Sequence, residues 1–290
     1  MLKDKIGIIG GSGLYDIKGI KDVRRVKVKT PFGEPSDEYT TGALEGREIV
    51  FLPRHGRGHN ILPGELNYRA NIYGMKKLGA SAVISVSAVG SLKKELRPLD
   101  IVVPDQFVDR TNQARKMTFF GDGIAAHIAF AEPVCPVLAK ILVDAGRRVG
   151  ATMREKGVYI NMEGPAFSSK AESALYRSWG MDIIGMTNMA EAKLAREAEI
   201  CYATLACVTD YDCWYESEGN ECVTVDIIIQ NLLKNVETSK KILKEAIAKI
   251  PDKRSCACGH ALKNAIMTSR EAISPDVKKR LDIIIGKYIR

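Results

Sequence analysis

Apolar positions along this chain fall in blocks. Short runs rich in β-branched side chains occur at 5–10 (KIGIIG), 47–54 (REIVFLPR), 81–90 (SAVISVSAVG), 100–108 (DIVVPDQFV), 157–164 (GVYINMEG), 182–187 (DIIGMT) and 200–210 (ICYATLACVTD). Continuous apolar runs of this length predict strands covered on both faces. Between them the apolar residues recur at helical spacing, at 65–79, 134–150, 169–180, 189–199 and 224–250. The first three of these segments end on a glycine, a common helix stop. Strands alternating with helices predict a single α/β domain, with a central, mixed but largely parallel sheet flanked by helices. No Pro-, Gly- or Ser-rich linker and no internal repeat divides the chain. The weakest boundary lies at 251–260, which gives a core of 1–250 and a helical tail of 251–290 packed on the same domain. In sheets of this kind ligands bind at the carboxyl ends of the strands.

Composition narrows the functional classes. The chain has 290 residues, 46% hydrophobic and 27% charged, the balance of a globular protein with a sizeable core. Its net charge of +8 is spread over the whole length, and basic clusters such as KDVRRVKVK are short and broken by apolar residues. That pattern suits solvated faces better than a nucleic-acid surface. No run approaches the ~18 apolar residues of a membrane span, and the N-terminus lacks a signal-like apolar region. Seven cysteines, an odd number, do not suggest a secreted disulfide framework. No nucleic acid and no membrane is therefore expected as a partner, and a cytoplasmic location is the default.

Several strand ends carry chemistry. The first runs into GIIGGSGL at 7–14. Its glycines do not have the G-x-G-x-x-G spacing of a dinucleotide loop, nor the G-K-[ST] ending of a triphosphate loop. A Gly-rich turn with the Ser12 hydroxyl suits a small oxyanion, or is simply a tight turn. The second strand ends in LPRHGRGHN, where Arg54 offers planar donors and His55 can donate as well; His59 has no evident task. The third ends in SVSAVGSL, placing Ser87, Gly90 and Ser91 where a backbone can meet a ligand. The turn NMEGPAFSS contains Glu163, Phe167 and Ser168, and Phe167 could stack on a base or belong to the core. Met186 and Thr187 end the next strand, and Glu191 opens the following helix. The last strand ends in VTDYDCW. Asp210 and Asp212 are two apart, so in extended backbone they share a face. Such a pair can hold an adjacent acceptor and donor edge, such as N7 and N6 of adenine, or one carboxyl can protonate a leaving nitrogen. Metal spacing is poor. The four histidines are scattered, and the C-x-C pair Cys256 and Cys258 has only His260 nearby. Free thiols or a small disulfide clip suit that pair better than zinc.

Taken in order, GIIGGSGL, TPFGEPSD, RHGRGH, NYRANIYGMK, GSL, DIVVPDQFVDRT, AEPVCP, EGPAFSSKAES and CYATLACVTDYDCW resemble the 5′-methylthioadenosine phosphorylases, in the trimeric branch of the purine nucleoside phosphorylases. The likeness runs from about residue 5 to 250. It implies the nucleoside phosphorylase fold and the reaction of methylthioadenosine with phosphate, giving adenine and methylthioribose 1-phosphate. By resemblance, Ser12, Arg54, His55, Ala88 (through its backbone) and Thr187 hold phosphate, with Ser87 beside them. Met186 contacts the ribose, Phe167 and Ser168 line the base pocket, and Asp210 and Asp212 face the N6/N7 edge. Val225, Ile228 and Ile229 match the wall around the methylthio group. His127 matches a residue that reaches the neighbouring subunit's pocket, so a homotrimer or a dimer of trimers is implied. No metal and no cofactor is implied; inorganic phosphate is a co-substrate. Three departures stand out. Ala166 replaces an arginine of the family's EGPRFSS, Asn188 and Ala190 alter its MTxxPE, and 216–222 (ESEGNEC) is slightly long and could form a lid. Asn188 is expected near the base or ribose. Two other readings stay open, a purine nucleoside phosphorylase of broader specificity for adenosine, inosine and guanosine, and a non-catalytic nucleotide or nucleic-acid binder.

Overall fold

The computed structural model describes residues 4–11, 13–14, 17–112, 114–215 and 225–289, without the side chains of 225–227. Eleven strands form one sheet: β1 (Lys5–Gly10), β2 (Lys21–Val26), β3 (Tyr39–Leu44), β4 (Arg47–Pro53), β5 (Ala80–Ser91), β6 (Ile101–Val103), β7 (Gln106–Arg110), β8 (Met153–Glu155), β9 (Val158–Met162), β10 (Ile183–Gly185) and β11 (Cys201–Tyr211). The helices are α1 (Tyr68–Lys77), α2 (Pro136–Arg148), α3 (Lys170–Ser178), α4 (Asn188–Glu197), α5 (Val225–Ile247), α6 (Pro275–Arg280) and α7 (Asp282–Ile285).

The centre of the sheet is β5, whose small and β-branched residues are buried almost throughout. It pairs in parallel with β1 on one side and β11 on the other, and β1 pairs in parallel with β4. Four neighbouring strands therefore present their carboxyl ends at the same edge. The far end of β5 pairs antiparallel with β10, through Ile183 with Ser91 and Ile184 with Gly90. That reversal brings the residues after β10 back alongside Ser87. Six of the ten strand pairings are parallel among the described residues, so the sheet is mixed and largely parallel.

Helices cover both faces. On one, α1, α4 and the tail residues Leu262, Val277, Leu281 and Ile285 share a core with Tyr39, Tyr68 and Tyr202. On the other, α2 and α5 pack Leu138, Leu142, Ile242 and Leu243 against β1, β5 and β11. Leu243 is fully buried, and truncating such a side chain to alanine costs about 2–5 kcal/mol. Local signals set the helix starts. Asn67 accepts from the Ala70 amide at the start of α1, and Ser169 forms a capping box with Glu172 at α3.

Two features depart from the apolar-run reading. The run 100–108 is not one strand. Pro104 cannot donate to a ladder, and the chain leaves β6, which pairs with β11 and β8, to enter β7, which pairs with β9. The other departure is the β2–β3 ribbon, which extends the sheet beyond β4. β2 is exposed along nearly its whole length, so it has no apolar run to read. No helix among the described residues is long and apolar enough to cross a membrane.

Candidate active site

A cavity of about 410 Å³ opens at the carboxyl ends of β1, β4, β5 and β11. Its walls include Gly11, Arg54, His55, Ser87, Ala88, Thr187, Asp210 and Asp212. Ser12 lies outside the described residues. Positions far apart in sequence thus meet at one site, because four strands end side by side.

One end of the cavity is built on Arg54. Its backbone amide donates to the Gly10 carbonyl at 2.9 Å, tying the end of β4 to that of β1. Its guanidinium is nearly inaccessible, at 3% exposure, and meets Glu191, at 2%, with Nε 2.5 Å from Oε1. Nη2 also donates to Ser85 Oγ at 2.6 Å and Nη1 to the Val86 carbonyl at 2.9 Å. Burial works against the charge on Arg54, but the Glu191 carboxylate more than offsets it and raises its pKa. Glu191 also accepts from Ser85 Oγ at 2.7 Å and from the Tyr202 hydroxyl at 2.9 Å. A buried ion pair needs this full set of hydrogen bonds to repay desolvation.

Asn188 belongs to the same network. It is fully buried, and its Nδ2 lies within hydrogen-bond distance of Ser85 Oγ, the Tyr202 hydroxyl and Thr204 Oγ1. It stands behind Arg54 and not among the cavity-lining residues, which corrects the expectation that it neighbours the base or ribose. The residue before it, Thr187, is the N-cap of α4 and does line the cavity. The start of a helix of this length favours an anion.

His55 takes a different part from the donor expected of it. Its Nδ1 lies 2.8 Å from the Ile61 carbonyl. A carbonyl only accepts, so Nδ1 carries the proton and Nε2 is the acceptor of the neutral ring. Burial, and then the charge of Arg54, push its pKa down to about 4, so the ring is neutral at ordinary pH. His59 stacks on it with centroids 4.5 Å apart. Between Arg54 and Thr187, β5 supplies Ser87, whose buried Oγ makes no hydrogen bond of ordinary geometry. Ala88 is the one exposed residue of that strand; its surface faces the cavity.

The other end of the cavity carries the carboxyl pair. β11 bulges between Val208, which pairs with Val89, and Asp210, which pairs with Gly90. The extra residue, Thr209, turns the strand end so that Thr209, Asp210 and Asp212 all line the cavity. Gly90 lies between the two acids; a Cβ there would stand 3.6 Å from Asp210 Oδ2 and 3.6 Å from Asp212 Cβ. Burial raises the Asp210 pKa to about 6, opposed by a 2.6 Å hydrogen bond from Thr209 Oγ1 and reinforced by Asp212. Burial raises Asp212 as well, with Ser173 and Ser168 nearby opposing it. Asp212 Oδ2 is buried without a hydrogen bond. Ser168 was expected to line the pocket; it is buried, is not among the cavity-lining residues and bears on Asp212. Phe167 lines the cavity yet is 73% exposed; it belongs to the mouth and not to the core. Ala166 is exposed beside it.

Met186 reaches the cavity between the two ends. Its carbonyl accepts from Arg115 Nη1, and Arg115 also pairs with Glu163 at 2.9 Å. The far wall comes from α5, where Ile228, Leu232 and Val236 recur every four residues along one face. Ile229 is 48% exposed and does not belong to that wall; Leu232 takes its place. The Val225 side chain and the segment 216–222 lie outside the described residues. Two amides of α5 hold the bulge: Asn231 Nδ2 donates to the Thr209 carbonyl at 2.8 Å, and Asn235 Nδ2 to the Val208 carbonyl at 2.9 Å. His127 is exposed and outside the cavity of its own chain.

The residues that support the site are marked unevenly in the sequence. Glu191 carried a signal, a charge on the buried face of the helix NMAEAKLARE. Arg115 sits in a loop and carried none.

The chain belongs to the phosphorylase superfamily, whose family model matches residues 5–248. Within it, the chain is similar over its whole length to S-methyl-5′-thioadenosine phosphorylases. It is 57% identical to that of Geobacter sulfurreducens over 99% of this chain and 100% of the relative. It is 53% identical to that of Thermosynechococcus vestitus over 98% and 99%. A solved methylthioadenosine phosphorylase from an Antarctic soil metagenomic library superposes with a TM-score of 0.92, at 49% identity, over 97% of this chain and 99% of that one. The methylthioadenosine phosphorylase of Schistosoma mansoni in complex with adenine gives 0.83, at 38% identity, over 90% and 96%. The mixed sheet with flanking helices is the nucleoside phosphorylase fold.

Proposed function

We propose that the chain catalyses phosphorolysis of 5′-methylthioadenosine, releasing adenine and 5-methylthioribose 1-phosphate. The observation that carries this reading is the pair Asp210 and Asp212, shielded from solvent and raised in pKa, at one end of a cavity whose other end holds the Arg54 guanidinium and the start of α4. In this reading Arg54, Ser87, the Ala88 backbone, Thr187 and Ser12 bind phosphate. Neutral His55 accepts a hydrogen bond from the P–OH of monohydrogen phosphate. The glycosidic C1′–N9 bond breaks through an oxocarbenium-like state, and the phosphate anion beneath the ribose stabilises the charge before attacking C1′. Negative charge develops on the leaving adenine. Asp210 gives its proton to N7, and Asp212 accepts from the N6 amino group. In net terms, the proton of monohydrogen phosphate ends on adenine, and the sugar phosphate leaves as a dianion.

Ile228 and Leu232 form the apolar wall for the methylthio group. No cofactor enters this scheme; phosphate is a co-substrate. His127 of a neighbouring subunit completes the pocket, in a homotrimer or a dimer of trimers. A cytoplasmic role in purine and methionine salvage belongs to the same reading. The test is a phosphorolysis panel of methylthioadenosine, adenosine, inosine and guanosine, with and without phosphate. Phosphate-dependent adenine release with methylthioadenosine preferred is the expected result. Release without phosphate would mean a hydrolase, and a tenfold preference for inosine would overturn the assignment of the two acids to an amino-purine edge.

A further inference from the structure

Far from the cavity, the fold gathers four cysteines. Cys135 caps the start of α2, Cys201 begins β11, and Cys256 and Cys258 flank Ala257 in the tail. Their sulfurs all lie within 4.8 Å of one another, and three of the four residues are buried. The partners that the C-x-C pair lacks in sequence are supplied by positions 135 and 201.

The backbone holds these residues independently of their sulfurs. The Cys135 amide donates to the Tyr202 carbonyl at 2.8 Å, joining α2 to β11. Glu199, two residues before Cys201, accepts from the Leu262 amide at 3.1 Å, and its carbonyl accepts from Arg254 at 2.7 Å. Lys287 donates to the Gly259 carbonyl at 2.7 Å. The tail is thus stitched to the core on both sides of Cys256 and Cys258.

We propose that Cys135, Cys201, Cys256 and Cys258 bind one zinc ion as a tetrathiolate that fastens the C-terminal tail to the sheet. Four sulfurs at about 2.3 Å from a tetrahedral zinc stand roughly 3.8 Å apart, close to the spacing here. An all-thiolate set selects a soft, tetrahedral metal over a hard, oxygen-loving one. Four mutually close sulfurs define a single centre, whereas two disulfides need only pairwise approach. The site carries a net charge of −2 when zinc is bound. Arg254, Lys287 and Lys76 gather with Glu199 and Asp4 beside it, a local excess of positive charge. β11 separates this cluster from Asp210 by nine residues, about 30 Å of strand, so the metal takes no part in the reaction. The inference stands apart from the proposed function.

The experiment is elemental analysis of the full-length protein, followed by reduction, chelation and titration with zinc or cobalt. About one zinc per chain is expected, with cobalt giving the absorption of a tetrahedral tetrathiolate. The variant Cys256→Ser/Cys258→Ser should fall below about a tenth of an equivalent. Chelation should lower Tm while leaving the kcat/KM of the folded fraction unchanged. Reduced wild-type protein that takes up less than about a tenth of an equivalent of either metal overturns the proposal, whether it was isolated with free thiols or with disulfides.

Discussion

At the Arg54 end of the cavity the buried charges meet partners within the chain: Arg54 has Glu191, and Glu191 has Ser85 and Tyr202. At the Asp210 end the arrangement is looser. Asp212 Oδ2 is buried without a hydrogen bond, the carboxyls are held at raised pKa by burial, and the aromatic ring at the mouth faces solvent. The first end is finished before any ligand arrives. It offers donors already fixed in place, of the kind that stabilise charge without reorganisation. The second end keeps its acids uncomfortable, and discomfort in a carboxyl is what makes it an acid near neutral pH.

The largest test breaks the finished end. Arg54→Ala leaves Glu191 buried and uncompensated, which should cost about 3–5 kcal/mol of stability. Denaturant unfolding reads that loss, and the KM for phosphate should rise in the fraction that folds. A variant with wild-type stability would show that the pair is not a structural unit.

At the other end the expected effects have opposite signs for activity and stability. Asp210→Asn should lower kcat/KM for methylthioadenosine by at least about 10²-fold, the usual range for loss of a general acid. It should also stabilise the protein. The folded state holds the Asp210 proton more tightly than the unfolded chain, since its pKa rises from 3.8 to about 6. Between those values stability falls as pH rises, and above them the full penalty persists, about 1–3 kcal/mol. The substitution removes that penalty, so a higher Tm at pH 8 is expected; a lower one would mean that the carboxylate is welcome where it sits. In the wild type, kcat/KM should fall about tenfold per unit above pH 6 as this acid is lost. The Asn variant should lack that limb.

A smaller effect separates two neighbours on α5. Leu232→Ala should raise the KM for methylthioadenosine by roughly 10-fold or more, the scale of lost apolar contact, whereas Ile229→Ala should leave it unchanged. Equal effects would return Ile229 to the wall.

The two ends also differed in how well the sequence announced them. Arg54, Thr187 and Asp210 stand at the ends of apolar runs, and the strand-end rule finds such positions without any knowledge of pairing. Which way a side chain points just past a strand is another matter. Asn188 adjoins Thr187 in sequence but turns inward with the first residue of α4. Ile228 and Ile229 are adjacent too, yet the helical period sends only one of them to the cavity. The bulge at Thr209 exists only in the register between β11 and β5, which one strand's sequence does not contain. Glu191 and the cysteines at 135 and 201 acquire their roles from residues 50 to 140 positions away. β2 lacks an apolar run because both its faces are wet.

The two asparagine amides of α5 that grip the carbonyls of Val208 and Thr209 have a kinetic meaning. They make the helix behind the apolar wall and the strand end that carries Asp210 a single caliper. In the proposed reaction, a 5′ substituent too large for the space facing Ile228 and Leu232 would push on α5, and the amides would pass that push to the acid one residue beyond the bulge. An oversized nucleoside would then be penalised in turnover and not only in capture, the far end of the substrate being measured by the same part that breaks the bond.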